Sequence, residues 1–196
     1  SLVSGHADSA AARNTAGTVF LATGDILAAR ENINLAMTLD PDYILPKLNI
    51  ARLEYSQGAL ASAEAEYRLI LDAYPSNVVA GIELARLLIN QSEFDEAKDR
   101  IDVVLKHQSN SFDAQLLLIQ ILQGQRAPPD KIEALAFALP NTFPEEPRAE
   151  IVAGRIYAAL GKTEDARLRF RHAVKKAEFD TAILVQAAEQ QIGILD

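Results

Sequence analysis

The sequence contains no cysteine and no tryptophan, and it has only three histidines among its 196 residues. Without cysteine the chain can form neither disulfide bonds nor zinc sites with thiolate ligands. His6, His107 and His172 are scattered along the chain, and none has a second ligand at the spacing of a metal site. We therefore expect no bound metal and no cofactor.

Catalytic and membrane-spanning patterns are also missing from the sequence. No hydrophobic run approaches the roughly 18–20 residues of a membrane-spanning helix, and no signal peptide is visible. The motifs of serine hydrolases, P-loop nucleotide binders and zinc proteases do not occur. The adjacent carboxylates Glu145 and Glu146 lie in a proline-rich stretch, so we interpret them as solvated loop residues rather than as a general acid pair. The sequence thus predicts that this chain is not an enzyme.

Positive charge is scarce, with 19 basic against 27 acidic residues and a formal net charge of -8. A nucleic-acid-binding domain usually carries a basic surface, so we expect no nucleic-acid partner, and we expect no membrane insertion by this segment. The sequence opens at Ser1 rather than at methionine, which suggests a processed chain or a segment of a longer protein. The location is left open between the cytoplasm and the periplasm, with association to the envelope through a region outside this segment as a further alternative.

The sequence is rich in alanine and leucine, and 49% of its residues are hydrophobic. These residues recur at the three- and four-residue spacing of one helix face, and little of the chain alternates as a strand would. Sliding the stretch Leu21–Pro41 forward by 34 residues superimposes it on Tyr55–Pro75, and two further copies follow. The recurring positions are a turn residue (Gly24, Gly58, Ser92, Gly161), a small residue (Ala29, Ala63, Ala97, Ala166), a large residue (Ile33, Tyr67, Ile101, Phe170) and, in the first two copies, a proline (Pro41, Pro75). A second small position precedes each turn (Gly17, Ala51, Ala85, Gly154).

Each copy is predicted to form two helices. The turn residue ends the first helix, and the proline stops the second because it disrupts helical hydrogen bonding. Asp25 and Ser62 stand in or near the opening turns of second helices, where an acceptor satisfies free N–H groups. Small residues let the two helices approach closely, and the large residue fills the remaining space.

This set of positions resembles the tetratricopeptide repeat family, whose period is known. The resemblance implies an all-α fold, a right-handed α-solenoid of about five helix-turn-helix repeats with a C-terminal helix. We expect a flexible lead-in at 1–9, repeats at 10–43, 44–77, 78–111, 112–146 and 147–180, and a capping helix at 181–196. A weaker resemblance is to bacterial repeat proteins of export, exopolysaccharide secretion or envelope assembly.

The fourth repeat departs from the pattern, and its Gly–Ala–large–Ala skeleton is not recoverable. We expect its second helix near Pro129–Ala138. Pro140, Pro144 and Pro147 are then expected to prevent its continuation and to leave a long loop over Leu139–Pro147.

The family resemblance implies that first helices line a concave groove that receives a peptide or helix of a partner protein. Three arginines fall in one repeat position beside aliphatic residues, which suits a partner segment with acidic and apolar side chains. The alternative interpretation is that these arginines form ordinary surface ion pairs with Glu54, Glu83 or Glu150. The predicted groove residues are Asn14, Thr18, Leu48, Arg52, Tyr55, Ile82, Arg86, Ile89, Gln120 and Arg155.

Three other functions stay open at this point. The chain could self-associate through the terminal helix Thr181–Ile194 or through the apolar face at its first repeat. It could also be an architectural segment of a larger bacterial protein, or it could regulate a catalytic domain outside this segment.

Overall fold

The structure is a computed structural model, and it describes residues 9–177 and 180–192. These residues form eleven α-helices joined by short turns and contain no strand. The predicted all-α, helix-turn-helix fold is therefore confirmed for the described residues. The chain divides into two compact units between Gln91 and Ser92.

The first unit contains five helices: α1 (Ala10–Thr23), α2 (Ile26–Leu39), α3 (Ile44–Ser56), α4 (Leu60–Ala73) and α5 (Val78–Asn90). The second unit contains six: α6 (Phe94–His107), α7 (Phe112–Gly124), α8 (Pro129–Thr142), α9 (Pro147–Ala159), α10 (Thr163–Ala177) and α11 (Thr181–Ile192). Most of the predicted lead-in, residues 1–8, lies outside the described residues, as do residues 193–196 of the predicted capping helix. Ser9 caps α1, because its hydroxyl oxygen accepts a hydrogen bond from the amide of Ala12 at 3.1 Å.

The turns between paired helices depend on backbone conformations that the repeat pattern marks. Gly24 ends α1 with φ +82°, and Asp25 then caps α2 by accepting a hydrogen bond from the amide of Ala28 at 3.0 Å. Ser62 lies in the opening turn of α4 but makes no capping hydrogen bond. The fourth repeat has Arg126 in the same left-handed region, with φ +52°, so its turn exists although its glycine does not.

Paired helices pack through the predicted small and large positions. A Cβ atom placed on Gly17 would lie 2.5 Å from Ile33, and one placed on Gly154 would lie 2.5 Å from the ring of Phe170. Ile33 and Phe170 are fully buried. The small residues are therefore required by close helix contact, as the sequence predicts.

The fourth helix pair reverses these sizes. Ile119 of α7 occupies the small position and is 5% exposed, whereas Ala136 of α8 occupies the large position and is 0% exposed. Both belong to one core cluster of the second unit. The pair keeps roughly the same total volume, which explains how a repeat with an altered skeleton retains the fold.

The expectation of a long loop over Leu139–Pro147 is wrong. Helix α8 continues to Thr142 with Pro140 inside its last turn, and only Phe143–Glu146 separates it from α9. Proline at this position removes one helical hydrogen bond, while the side chains of Asn141 and Thr142 donate to carbonyls of the preceding turn. Pro140 is also buried, so the side chain contributes to the core where its N–H is missing.

Candidate functional site

The first helices of unit 1 (α1, α3 and α5) carry most of the predicted groove residues, and the structure separates these residues into two groups. The exposed side chains are Thr18, Arg52, Tyr55 and Arg86, and Ile82 is half-buried. The buried side chains are Asn14 (6% exposed), Leu48 (2%) and Ile89 (7%). These three side chains pack within the unit and expose little surface, so the exposed residues carry the accessible part of the predicted groove, and the groove itself stays a prediction.

Cross-helix hydrogen bonds order the polar side chains of this surface. Asn49 donates to Asn14 at 2.8 Å, which links α3 to α1. Asn90 of α5 donates to the hydroxyl of Tyr55 at 2.8 Å, which fixes the position of that partly exposed ring. The tyrosine therefore presents its ring without the freedom of an unanchored side chain.

Arg52 forms an ion pair across the same surface. Its guanidinium lies 3.1 Å from the carboxylate of Glu83, which belongs to α5. The side chain remains 47% exposed. The ion-pair interpretation of the arginines thus holds for Arg52, and solvent exposure keeps this pair weak.

Two exposed aliphatic residues were absent from the predicted groove. Leu45 is 47% exposed and Val79 is 41% exposed, each at the second residue of its helix. Leu45 precedes Arg52 by seven residues, so the two side chains leave α3 on the same side. The signal for both was available in the sequence, because Leu45 and Val79 are apolar residues separated by one repeat of 34 residues.

The first helices of unit 2 enclose a cleft of about 500 Å³ between α7 and α9. Its lining contains two of the predicted groove residues, Gln120 and Arg155, and no acidic residue. The complete lining is Leu116, Ile119, Gln120, Gln123, Val152, Arg155 and Ile156.

Arg155 makes no ion pair or hydrogen bond with any residue in the described part of the chain. Its predicted alternative partner, Glu150, is 3% exposed and faces α10 instead, where Lys176 approaches to 2.8 Å and Arg169 to 3.3 Å. Opposite charges satisfy this buried carboxylate, as burial requires. The only formal charge on the lining of the cleft is therefore the guanidinium of Arg155.

Arg148, the other arginine of α9, is fully engaged. It donates to Glu146 at 2.7 Å, and its guanidinium lies 4.9 Å from the ring centre of Phe112. The hydrogen bond from Arg148 holds the pKa of Glu146 below its usual value. Arg148 thus fixes the start of α9, and Arg155 is the α9 arginine that remains available to a ligand.

The described residues offer little for other chemistry. No group of three or more histidine, aspartate or glutamate side chains is arranged there to hold a metal ion. None of the described helices has the length and apolar character that crossing a membrane requires. Burial raises the pKa of Tyr67 to about 12, so this core phenol stays protonated at neutral pH.

Paired helices in succession define a helical-repeat protein, and comparison with known proteins agrees with this fold. Residues 55–121 match the family model of the tetratricopeptide repeat. No curated protein matches the chain in sequence. The fold is similar to that of yeast Tom70, with a TM-score of 0.75 and 15% identity over 95% of this chain and 41% of Tom70.

Two bacterial structures are similar over most of both chains. PilF of Pseudomonas aeruginosa has a TM-score of 0.74 and 13% identity, covering 94% of this chain and 88% of PilF. A thermophilic repeat protein of Thermus thermophilus has a TM-score of 0.70 and 14% identity, covering 93% and 99%. Residues 55–121 thus match the tetratricopeptide repeat family in sequence, and the fold of the chain is similar to those of these solved repeat structures. Proteins of this family are in general interaction scaffolds rather than catalysts.

Proposed function

We propose that this chain is a non-catalytic scaffold that binds a peptide or helix of a partner protein on its first helices. The observation that carries the proposal is the exposed surface of α3 and α5, where Arg52 and Arg86 lie on the same helices as Leu45, Val79 and the anchored ring of Tyr55. Arginine and tyrosine are the side chains that dominate protein interfaces, and exposed aliphatics supply apolar area. The expected partner segment combines acidic and apolar residues.

The proposal is tested on the full chain with the double charge reversal Arg52→Glu/Arg86→Glu. The probes are fluorescein-labelled peptides in which leucine alternates with glutamate, and matched peptides in which lysine replaces glutamate. Fluorescence anisotropy should show binding of the glutamate peptides to the wild type and a loss of about tenfold or more in the variant, since two attractive charges become repulsive.

A matched control separates this surface from overall charge. Arg171→Glu/Lys175→Glu changes the net charge by the same amount on α10, where both side chains are exposed, and it should leave peptide binding within about twofold. Equal binding by the wild type and the first-helix variant, with unchanged circular dichroism and thermal midpoint, would show that the proposal is wrong.

Self-association is a second candidate, and α11 favours it. Val185 is 51% exposed on this helix. Ala188 is also exposed, and it lies 34 residues after Gly154, so it occupies the small position of a first helix. Other small residues at this position, such as Ala51 and Ala85, are fully buried. If α11 mediates self-association, light scattering will show a mass that rises with concentration and that Val185→Asp returns to the monomer; a concentration-independent monomer removes this candidate.

A further inference from the structure

The alignment of the repeats explains why Arg155 has no acidic partner among the residues that the structure describes. Arg52 is the ninth residue of α3, and its partner Glu83 is the sixth residue of α5, the first helix of the next repeat. Arg155 is the ninth residue of α9, and the sixth residue of α11 is Gln186. The position that supplies a carboxylate in unit 1 therefore holds a neutral amide in unit 2. The positive charge of Arg155 is thus not compensated from this position, although the chain has a net charge of -8.

Apolar side chains form the remainder of the cleft beside this cation. Ile119 and Ile156 line it and are 5% and 4% exposed, whereas Leu116 and Val152 are half-buried. A ligand that fills the cleft covers the two half-buried side chains and takes water away from the guanidinium. An ion pair with Arg155 is stronger there than on an open surface, because less water competes for the charge.

Two glutamine side chains restrict the form of the ligand. Gln120 and Gln123 are exposed on α7, and each primary amide offers both a donor and an acceptor. An extended peptide has free main-chain N–H and C=O groups to pair with these amides, whereas a helix satisfies most of its own.

We infer that the α7/α9 cleft binds an extended peptide segment in which an acidic side chain lies beside aliphatic ones, with Arg155 receiving the carboxylate. This inference rests on the proposed function and names a second surface, in unit 2, with its own ligand chemistry. The aliphatic neighbours of the acid contact Leu116 and Val152, and Gln120 and Gln123 pair with the peptide backbone.

The test uses the full chain and a fluorescein-labelled peptide, blocked at its C-terminus as an amide, in which one glutamate is flanked by leucine and valine. A second peptide carries glutamine in place of the glutamate, and a third carries its single carboxylate at a free C-terminus. The wild type should bind the glutamate peptide about tenfold or more tightly than the glutamine peptide, since a charge-assisted hydrogen bond is lost in the latter.

Two variants then examine the origin of this preference. Arg155→Gln should abolish the preference for glutamate. Gln186→Glu should reduce it by about fivefold or more, because it places a carboxylate beside Arg155 at the position equivalent to Glu83. Both substitutions fall on exposed positions, so thermal midpoints should stay within a few degrees of the wild type.

The outcomes separate this inference from the proposed function. If the glutamate peptide responds to Arg52→Glu/Arg86→Glu and not to Arg155→Gln, the cleft assignment is overturned while the proposed function stands. If neither variant changes binding, both are overturned. Tighter binding of the free C-terminal peptide than of the glutamate peptide would overturn the assignment of an internal acidic side chain.

Discussion

The turn residues show how single positions hold the repeat together. Gly161 has φ +74° after α9, and Arg126 adopts φ +52° after α7, a region that side chains with a Cβ atom rarely occupy. Arginine tolerates this conformation at a cost of about 1–2 kcal/mol. The fourth repeat therefore carries backbone strain that the fifth repeat avoids.

Replacing Arg126 with glycine should increase the free energy of unfolding by about 0.5–1 kcal/mol, because relief of strain exceeds the extra entropy of an unfolded glycine. Gly161→Ala is the matched control and should decrease it by a similar amount. Urea denaturation of the full chain followed by circular dichroism measures both. A destabilised Arg126→Gly variant would show that the arginine side chain contributes more than its strained backbone costs.

The ion pair of Glu146 with Arg148 predicts a dependence on pH. The hydrogen bond from Arg148 lowers the pKa of the folded Glu146 carboxyl below its ordinary value of 4.5. Its stabilisation is therefore present above about pH 4.5 and is lost as pH falls through the lowered pKa. Glu146→Gln should reduce stability by less than about 1 kcal/mol at pH 7, because the pair is partly exposed, and the difference between the two proteins should shrink as the pH falls below 4.5 and vanish once the folded Glu146 is protonated. A difference that does not shrink at all as the pH falls below 4.5 would assign the effect to the N-cap of α9 instead of the charge.

Helix pairs tolerate large changes in sequence when the paired volumes stay complementary. In α7 and α8 the large residue is Ile119 and the small one is Ala136, the reverse of Gly154 and Phe170 in α9 and α10. Close packing requires one large and one small residue at this crossing, but not that each stay on a given helix.

Ile119→Ala should destabilise the protein by about 2–5 kcal/mol, since it leaves two alanines and a cavity at the crossing. Adding Ala136→Ile to this variant should restore a large part of the loss by returning the size order of the other repeats. Ala136→Ile alone is the control and should destabilise through overpacking. A double variant no more stable than Ile119→Ala would show that the two side chains do not share one space.

At the scale of the whole molecule, stability depends on each helix having neighbours on both sides. Val19 of α1 is 56% exposed, whereas Leu53, the residue one repeat later in α3, is 1% exposed within a cluster that includes Ile33 and Ile50. The same position is buried again at Ile121 and Ile156 of unit 2. In a repeat protein the interfaces between neighbouring repeats carry much of the stability. Residues at equivalent positions therefore differ in importance according to how many neighbouring helices cover them.

Val19→Asp should change the free energy of unfolding by at most about 0.5 kcal/mol, because the carboxylate stays in water. Leu53→Asp places the same group in the core and should destabilise by at least about 4 kcal/mol or prevent folding. Thermal unfolding of the two variants beside the wild type measures the contrast. Equal destabilisation would mean that Val19 is covered in solution.

The sequence by itself determined the helices and their pairing, because these depend on local patterns. Gly24, Ala29 and Ile33 recur at fixed spacing, and each reports a backbone conformation or a volume at a helix crossing. The expectation that the prolines stop α8 was wrong because it, too, rested on a local pattern. A local rule predicts that Pro140 ends α8, but its cost is one hydrogen bond, and its burial in unit 2 compensates for that bond.

Only the tertiary structure decided which predicted groove residues reach solvent and which groove arginine, Arg155, has no ion-pair partner among the described residues. Leu48 and Arg52 belong to the same helix, yet one packs inside the unit and the other forms an ion pair with Glu83. The difference between Arg52 and Arg155 arises from residues 31 positions later in sequence, Glu83 and Gln186. A linear pattern identifies residues by spacing along one helix, whereas burial and charge compensation are set by side chains from neighbouring helices.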